Sequence, residues 1–334
     1  MMKKVKYFIK RLANMNYKKC FDTIKKIHKR TKKSRIIIFF DVIWCGLKYQ
    51  AGYMDYWLFE MDTLNSKQRK TIVTRGKNNE IVKKYNNQNY IKYLNNKILF
   101  NQKFNKYLKR DWMELKDNNI NKFKEFINKH KEIIVKPVNL CCGKGIELLT
   151  VNNDNYEEIY NNLIDTKRTL VEEVIKERKE IAKLHPESVN TLRLVTLNYK
   201  LVVAFIRIGN ENNVVDNFNH GGMAAPINID TGIIEYPAID KDGNLYYNHP
   251  LTNEKIVGFK IPDMDKIKNF VEKLAKEIPE VRYVGWDVCP TDNDIAIIEG
   301  NEFPGHDIYQ LPPHRKDGTG LMPIFEKAMK DSNK

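Results

Sequence analysis

Two hydrophobic rhythms divide the chain. From about Ser34 to Lys129 apolar residues fall three or four apart, as in Ile91, Leu94, Ile98 and Leu99 and again in Phe123, Phe126 and Ile127, which predicts helices, with aromatic residues dense over Tyr49–Phe59. Asn-rich breaks at Asn78-Asn79, Asn86–Asn89 and Asn118–Asn121 punctuate this part, because the Asn side chain bonds nearby backbone groups and favours turns and caps. After Lys131 the apolar runs shorten to strand length: Glu132–Lys136, Ile146–Val151, Thr169–Ile175, Thr191–Asn198, Leu201–Gly209, Tyr283–Val288 and Ile295–Gly300. Helices are predicted over Asp154–Leu163 and Asp263–Ile278, the second capped by Asp263. The stretch Asn210–Gly258, rich in Asn, Gly, Asp and Pro, predicts loops and a surface hairpin over the sheet, outside the core.

The amino-terminal arm has its own pattern. Val5, Phe8, Ile9, Leu12, Tyr17, Cys20, Phe21, Ile24 and Ile27 recur at helical spacing between basic residues. Residues 1–35 hold fourteen Lys/Arg against one acid, Asp22, so +13 of the chain's +15 resides there and the remaining 299 residues carry +2. The body is therefore nearly neutral and lacks a basic-aromatic stripe, which excludes nucleic-acid binding by the body. A basic amphipathic helix suits either peripheral contact with an anionic membrane or a solvated face packed on the body. The longest apolar run, Ile36 to Leu47, is short and interrupted by Asp41, so no membrane span is expected. Five cysteines without a CxxC spacing, and an amino terminus without a secretory pattern, suggest the cytoplasm, with the arm at the inner face of the membrane.

Candidate chemistry lies in the second half. Ile133-Ile134-Val135-Lys136 is a strand ending in a lysine, followed by Cys141-Cys142-Gly143-Lys144-Gly145; such a loop can hold backbone N–H groups against phosphates or simply turn a hairpin. Glu172 and Glu173 interrupt an otherwise buried strand, as acceptors for a base or ribose or as a strand end emerging into water. Arg193 and Arg207 are cations inside a sheet and need an anion: a phosphate, or Glu172 or Glu173. Glu299 and Asn301 share one face of a strand, and a hairpin from Asp287 would bring three hard oxygen donors together, a set suited to Mg²⁺.

Taken in order, these residues resemble the ATP-grasp superfamily, and within it the sugar-transfer-associated ATP-grasp proteins found among capsule and extracellular polysaccharide genes, from about Phe39 onward. The resemblance implies an α+β fold whose two lobes clasp ATP, preceded by a mainly helical region. It implies Lys136 on the α/β phosphates, Gly143, Lys144 and Gly145 over the triphosphate, and Glu172 and Glu173 at the adenine. It further implies Asn190, Thr191 and Arg193 as the Asn-Thr-x-Arg signature and Asp287, Glu299 and Asn301 as ligands of Mg²⁺. The chain is then divided as a basic arm (1–35), a helical region (36–129), a small lobe (130–172) and a large lobe (173–334).

The implied reaction is ATP-dependent ligation of a carboxylate to an amine, with Lys136, Arg193 and Arg207 neutralising the transferring phosphoryl group and His220 or His306 as base. A sugar kinase and a non-catalytic nucleotide-binding module are the alternatives. The partner is a small molecule, a nucleotide sugar or a glycan. The segments Asn219–Met223 and Asn301–Asp307 are the expected substrate loops.

Overall fold

The computed structural model describes residues 15–138, 145–152, 154–210, 218 and 221–330. The chain forms two compact units, one of residues 1–85 with 304–334 and one of residues 86–303. The carboxy-terminal thirty or so residues thus join the amino-terminal helices, which a division by position along the chain does not foresee.

The first unit is helical. Helix α1 (Tyr17–Thr31) starts at Asn16, whose side chain accepts from the Lys19 amide, and stops at Lys32 in the left-handed conformation; Cys20, Ile24 and Ile27 face the core. Helix α2 (Arg35–Tyr49) buries Ile38, Val42, Cys45 and Tyr49. The Asp41 carboxylate that interrupts its apolar run accepts 2.6 and 2.7 Å bonds from both terminal nitrogens of Arg69 and a 2.6 Å bond from the Tyr56 hydroxyl. Gln310 ties the carboxy-terminal segment in, because its amide both accepts from the Val73 N–H (3.0 Å) and donates to the Val73 carbonyl (2.6 Å), as a paired strand would. No helix among the described residues is long and apolar enough to cross a membrane.

The second unit contains two antiparallel sheets. In the small sheet, β1 (Trp112–Glu114), β2 (Glu132–Lys136), β3 (Glu147–Thr150) and β4 (Leu170–Glu173) stand in the order β1-β4-β2-β3. One face, with Ile133, Val135 and Val171, packs on Phe123 and Ile127 of α3 (Ile120–Lys129) and on Tyr160 and Leu163 of α4 (Tyr156–Asp165). Period-two alternation turns Lys136 and Glu172 to the opposite face.

The large sheet has seven strands: β5 (Leu192–Leu197), β6 (Lys200–Ile208), β7 (Met223–Pro226), β8 (Ala238–Ile239), β9 (Leu245–Tyr246), β10 (Tyr283–Pro290) and β11 (Ile295–Asn301), ordered β11-β10-β5-β6-β7-β8-β9. One face carries Leu192, Leu194, Ile206 and Trp286 against Phe100, Phe104 and Leu108 of α5 (Lys97–Leu108) and Ile267, Val271 and Leu274 of α6 (Met264–Leu274).

Two local expectations are corrected. The stretch Asn210–Gly258 is not confined to loops outside the core: its described part supplies β7, β8 and β9, and Met223, Ala225, Ile234, Ala238 and Ile256 are buried. Short apolar clusters between turn residues were enough to add edge strands. Asp263 does occupy the N-cap position of α6, but it is left-handed (φ 54°) and its side chain makes no cap bond: the carboxylate accepts from Arg178 (2.7 Å) and Lys266 (3.1 Å), a stronger claim on it than backbone amides.

Candidate active site

The small sheet presents a buried cationic cluster. Because Ile134 pairs with Glu172 and Lys136 with Leu170, Lys136 and Glu172 are diagonal neighbours on one face. The Lys136 ammonium donates to Glu172 Oε2 at 2.5 Å, while Arg110 Nη2 (2.9 Å) and Asn101 Nδ2 (2.8 Å) donate to Oε1. The Glu172 and Arg110 side chains are 2% and 1% exposed. Burial alone would raise the Glu172 carboxyl, but Arg110 and Lys136 outweigh it and hold it far below the ordinary carboxylate range. Arg110 also donates to the Ile297 carbonyl at 2.6 Å, fixing this cluster to β11 beside Glu299.

The large sheet presents the complementary arrangement. On its polar face Asp287 of β10 lies opposite Arg193 of β5 on one side and opposite Glu299 of β11 on the other. Arg193 Nε donates to Asp287 Oδ1 and Nη2 to Oδ2 (3.0 Å), and Arg207 Nη2 donates to the same Oδ2 at 2.9 Å. Arg207 is held from behind by Thr191, whose hydroxyl accepts at 2.7 and 2.9 Å. Burial would raise Asp287, yet the two guanidiniums hold it down at about 2. Burial and then the Asp287 charge push the Glu299 carboxyl up, against Arg193 and Arg207, which lower it.

This donor set fits a magnesium ion. Asp287 Oδ1 takes a single guanidinium nitrogen, and Glu299 stands directly opposite Asp287 on the neighbouring strand, so two carboxyls compete for positive charge here. Asn301 shares this face two residues beyond Glu299, with its Oδ1 accepting from the Phe303 amide at 2.9 Å. Gly300 between them admits the close approach of Leu94 and Trp286, at 2.8 and 3.0 Å from where a Cβ would stand. Lys136 and Arg110 surround one carboxylate, and Arg193 and Arg207 another, so each of these buried acids meets two cations. Such sites attract polyanions.

The expected site residues distribute as follows. Lys136, Glu172, Arg193, Arg207, Asp287, Glu299 and Asn301 all lie on the polar faces of the two sheets of one unit. Glu172 neither emerges into water nor pairs with the sheet arginines; its partners are Lys136 and Arg110, and the anion for Arg193 and Arg207 is Asp287. Glu173 stands apart from Glu172, accepting from the Asp111 amide at 2.9 Å, with His130 3.7 Å away. Asn190 is fully buried, and its amide and side chain donate to the two Glu177 oxygens at 2.9 and 2.8 Å, so it positions an acid. His306 is buried in the first unit on Asp55 (2.7 Å). Gly145 is left-handed (φ 73°) at the start of the turn into β3; Gly143, Lys144 and His220 lie outside the described residues. Sequence reasoning missed Arg110, Asn101 and Glu177. Arg110 stands in the charged triplet Lys109-Arg110-Asp111, and no local pattern marks the middle residue as the buried one.

Residues 76–327 match the family model "Sugar-transfer associated ATP-grasp". No curated protein matches the chain. Among solved structures it is similar to the ATP-grasp ligase PsnB complexed with minimal precursor (12% identity over 74% of this chain and 63% of that chain, TM-score 0.43). It is also similar to D-alanine–D-alanine ligase from Bacillus anthracis (14%, 72% and 67%, 0.42) and to the D-cycloserine synthetase DcsG (9%, 75% and 74%, 0.43). The chain thus spans a little under two thirds of PsnB. Because the family match covers well over half of the sequence, and includes both sheets and every strand named above, the chain belongs to the sugar-transfer-associated ATP-grasp family and has the ATP-grasp fold.

Proposed function

We propose that this protein is an ATP-dependent carboxylate–amine ligase of capsular or extracellular polysaccharide synthesis, joining a sugar acid or amino sugar to an amino acid or simple amine. The observation that carries the reading is the row Arg207–Arg193–Asp287–Glu299 on one face of a sheet, next to a second cationic cluster around Lys136. In this reading a carboxylate oxygen of the substrate attacks the γ-phosphorus of ATP, ADP leaves, and the resulting acyl phosphate is opened by an amine. The products are an amide and inorganic phosphate, with the amine proton passing to a base, for which His220 is proposed.

Most catalysis of phosphoryl transfer comes from positioning and from neutralising charge on the phosphoryl oxygens. Lys136 would bind the phosphates, and Arg193 and Arg207, fixed by Asp287 and Thr191, would meet the transferring group without rearrangement. Asp287, Glu299 and Asn301 would hold Mg²⁺, which when bound supplies further neutralisation of the triphosphate. Glu173, and Gly143, Lys144 and Gly145, are proposed for the nucleotide as the family pattern implies, and Asn190 acts through Glu177.

The test is ADP release with hydroxylamine present, across a panel of uronic acids, nucleotide sugars and amino acids. A hydroxamate formed together with ADP, the mark of an acyl phosphate, is the expected product. ADP with a phosphorylated sugar and no hydroxamate or amide would make the protein a kinase instead. Tight ATP binding without turnover on any substrate would make it a nucleotide-binding module.

A further inference from the structure

Helix α2 is apolar on both of its faces. Ile38, Val42 and Cys45 fill the core of the first unit, while Ile36, Ile37, Phe40, Trp44 and Leu47 turn outward, with Ile36 69%, Phe40 64% and Trp44 52% exposed. A globular helix ordinarily presents its second face as polar. The apolar strip continues onto α1 through Phe21, which stacks on Phe39 at 6.2 Å and is itself 58% exposed. Between the two helices runs a groove of about 620 Å³, lined by Phe21, Ile24, Ile36, Phe39 and Phe40 together with Asp22, Lys25 and Arg35, two cations to one acid.

The charge around this strip selects its occupant. Residues 15–50 carry ten Lys/Arg, eight of them Lys, against Asp22 and Asp41, and Asp41 is already bound to Arg69. Residues 1–14 add five basic residues and no acid, which enlarges the positive charge available to an anionic surface, and a second copy presenting the same surface would be repelled. Protein interfaces are depleted in Lys, whereas Lys with outward Trp, Phe and Ile is the composition that seats a helix in an anionic headgroup layer. The Lys48 ammonium lies 5.1 Å from the centre of the Trp44 ring, the two side by side as at a membrane–water boundary.

We infer that the outward face of α1 and α2 docks this protein on an anionic lipid surface, with Ile36, Ile37, Phe40 and Trp44 inserted below the headgroups and the lysines among the lipid phosphates. Sequence pattern alone directed membrane contact to residues 1–35. The insertion proposed here lies mainly beyond them, in α2. It does not depend on the reaction catalysed in the other unit.

Flotation of the full chain with phosphatidylcholine vesicles containing about one third phosphatidylglycerol tests this, beside pure phosphatidylcholine vesicles. Binding to the anionic vesicles is expected, weakened but not abolished when salt is raised from about 0.1 M to 0.5 M, because screening removes the charge term and leaves the apolar one. The double variant Phe40→Asp/Trp44→Asp should lose about tenfold or more in affinity, and Phe40→Leu/Trp44→Leu should restore it. Brominated acyl chains should quench tryptophan emission in the parent and much less in Trp44→Phe, a readout that survives if the aspartate variant misfolds. Equal binding by parent and aspartate variant, absence of quenching, or failure to bind anionic vesicles would each overturn the inference. Self-association through this face, or capture only by acidic proteins, would do the same.

Discussion

Asp287 and Glu299 face each other across neighbouring antiparallel strands, and the two are pushed in opposite directions: the guanidiniums of Arg193 and Arg207 hold Asp287 down, while burial and the Asp287 charge push Glu299 up. A proton is thus held more strongly on Glu299 than on Asp287. This makes the role of each carboxyl separable by substitution.

Glu299→Gln places a donor toward Asp287 and removes a carboxyl whose ionised form burial and the Asp287 charge disfavour. Thermal stability near neutral pH should be unchanged or slightly raised, while Mg²⁺-dependent ADP formation falls by about a hundredfold or more. Melting curves and an ADP assay check the two halves. A variant that turns over like the parent would remove Glu299 from the site.

Lys136 and Arg110 share one carboxylate but differ in exposure, 12% against 1%. Lys136→Ala should weaken ATP binding about tenfold or more with a modest fall in stability, since Arg110 and Asn101 still bond Glu172. Arg110→Ala should lower stability by about 3–5 kcal/mol, because a fully buried acid then loses its main partner and the Ile297 carbonyl its donor. Isothermal titration and denaturant unfolding separate the effects.

Glu172 also sets an acid limit. Its folded pKa lies well below the unfolded value near 4.5, so the stability it contributes is present above that value and is lost as pH falls through the folded pKa. Unfolding free energy measured downward from pH 5 should fall, and the fall should be shallower in Glu172→Gln, whose stability at pH 7 is lower than the parent's. A parallel acid limb in both proteins would contradict this.

Asn190 donates twice to Glu177, so Asn190→Asp sets two carboxylates face to face in a buried position. The backbone donor remains, and the loss should be about 1–3 kcal/mol, with the ATP KM rising more than kcat falls. Asn190→Ala should show the smaller change in KM.

The two hydrophobic rhythms determined the helix-to-strand transition, and period-two alternation in β2, β5, β10 and β11 determined which acids and bases share a sheet face. Those are local properties, encoded in neighbours two to four residues apart. Several polar motifs were legible for the same reason: an acid or a cation inside an apolar strand must have a partner, and that need can be read without knowing the partner.

The partners themselves were decided by tertiary structure. Strand order put Asp287 between Arg193 and Glu299, so the sheet arginines met that acid and not Glu172, and the loop before β1 brought Arg110 to Glu172 across more than sixty positions. Pairing energies depend on distance and burial, which the linear order of charges does not contain. The outward strip of α2 was hidden likewise, because an apolar run reads the same whether its second face meets a core, a lipid or water.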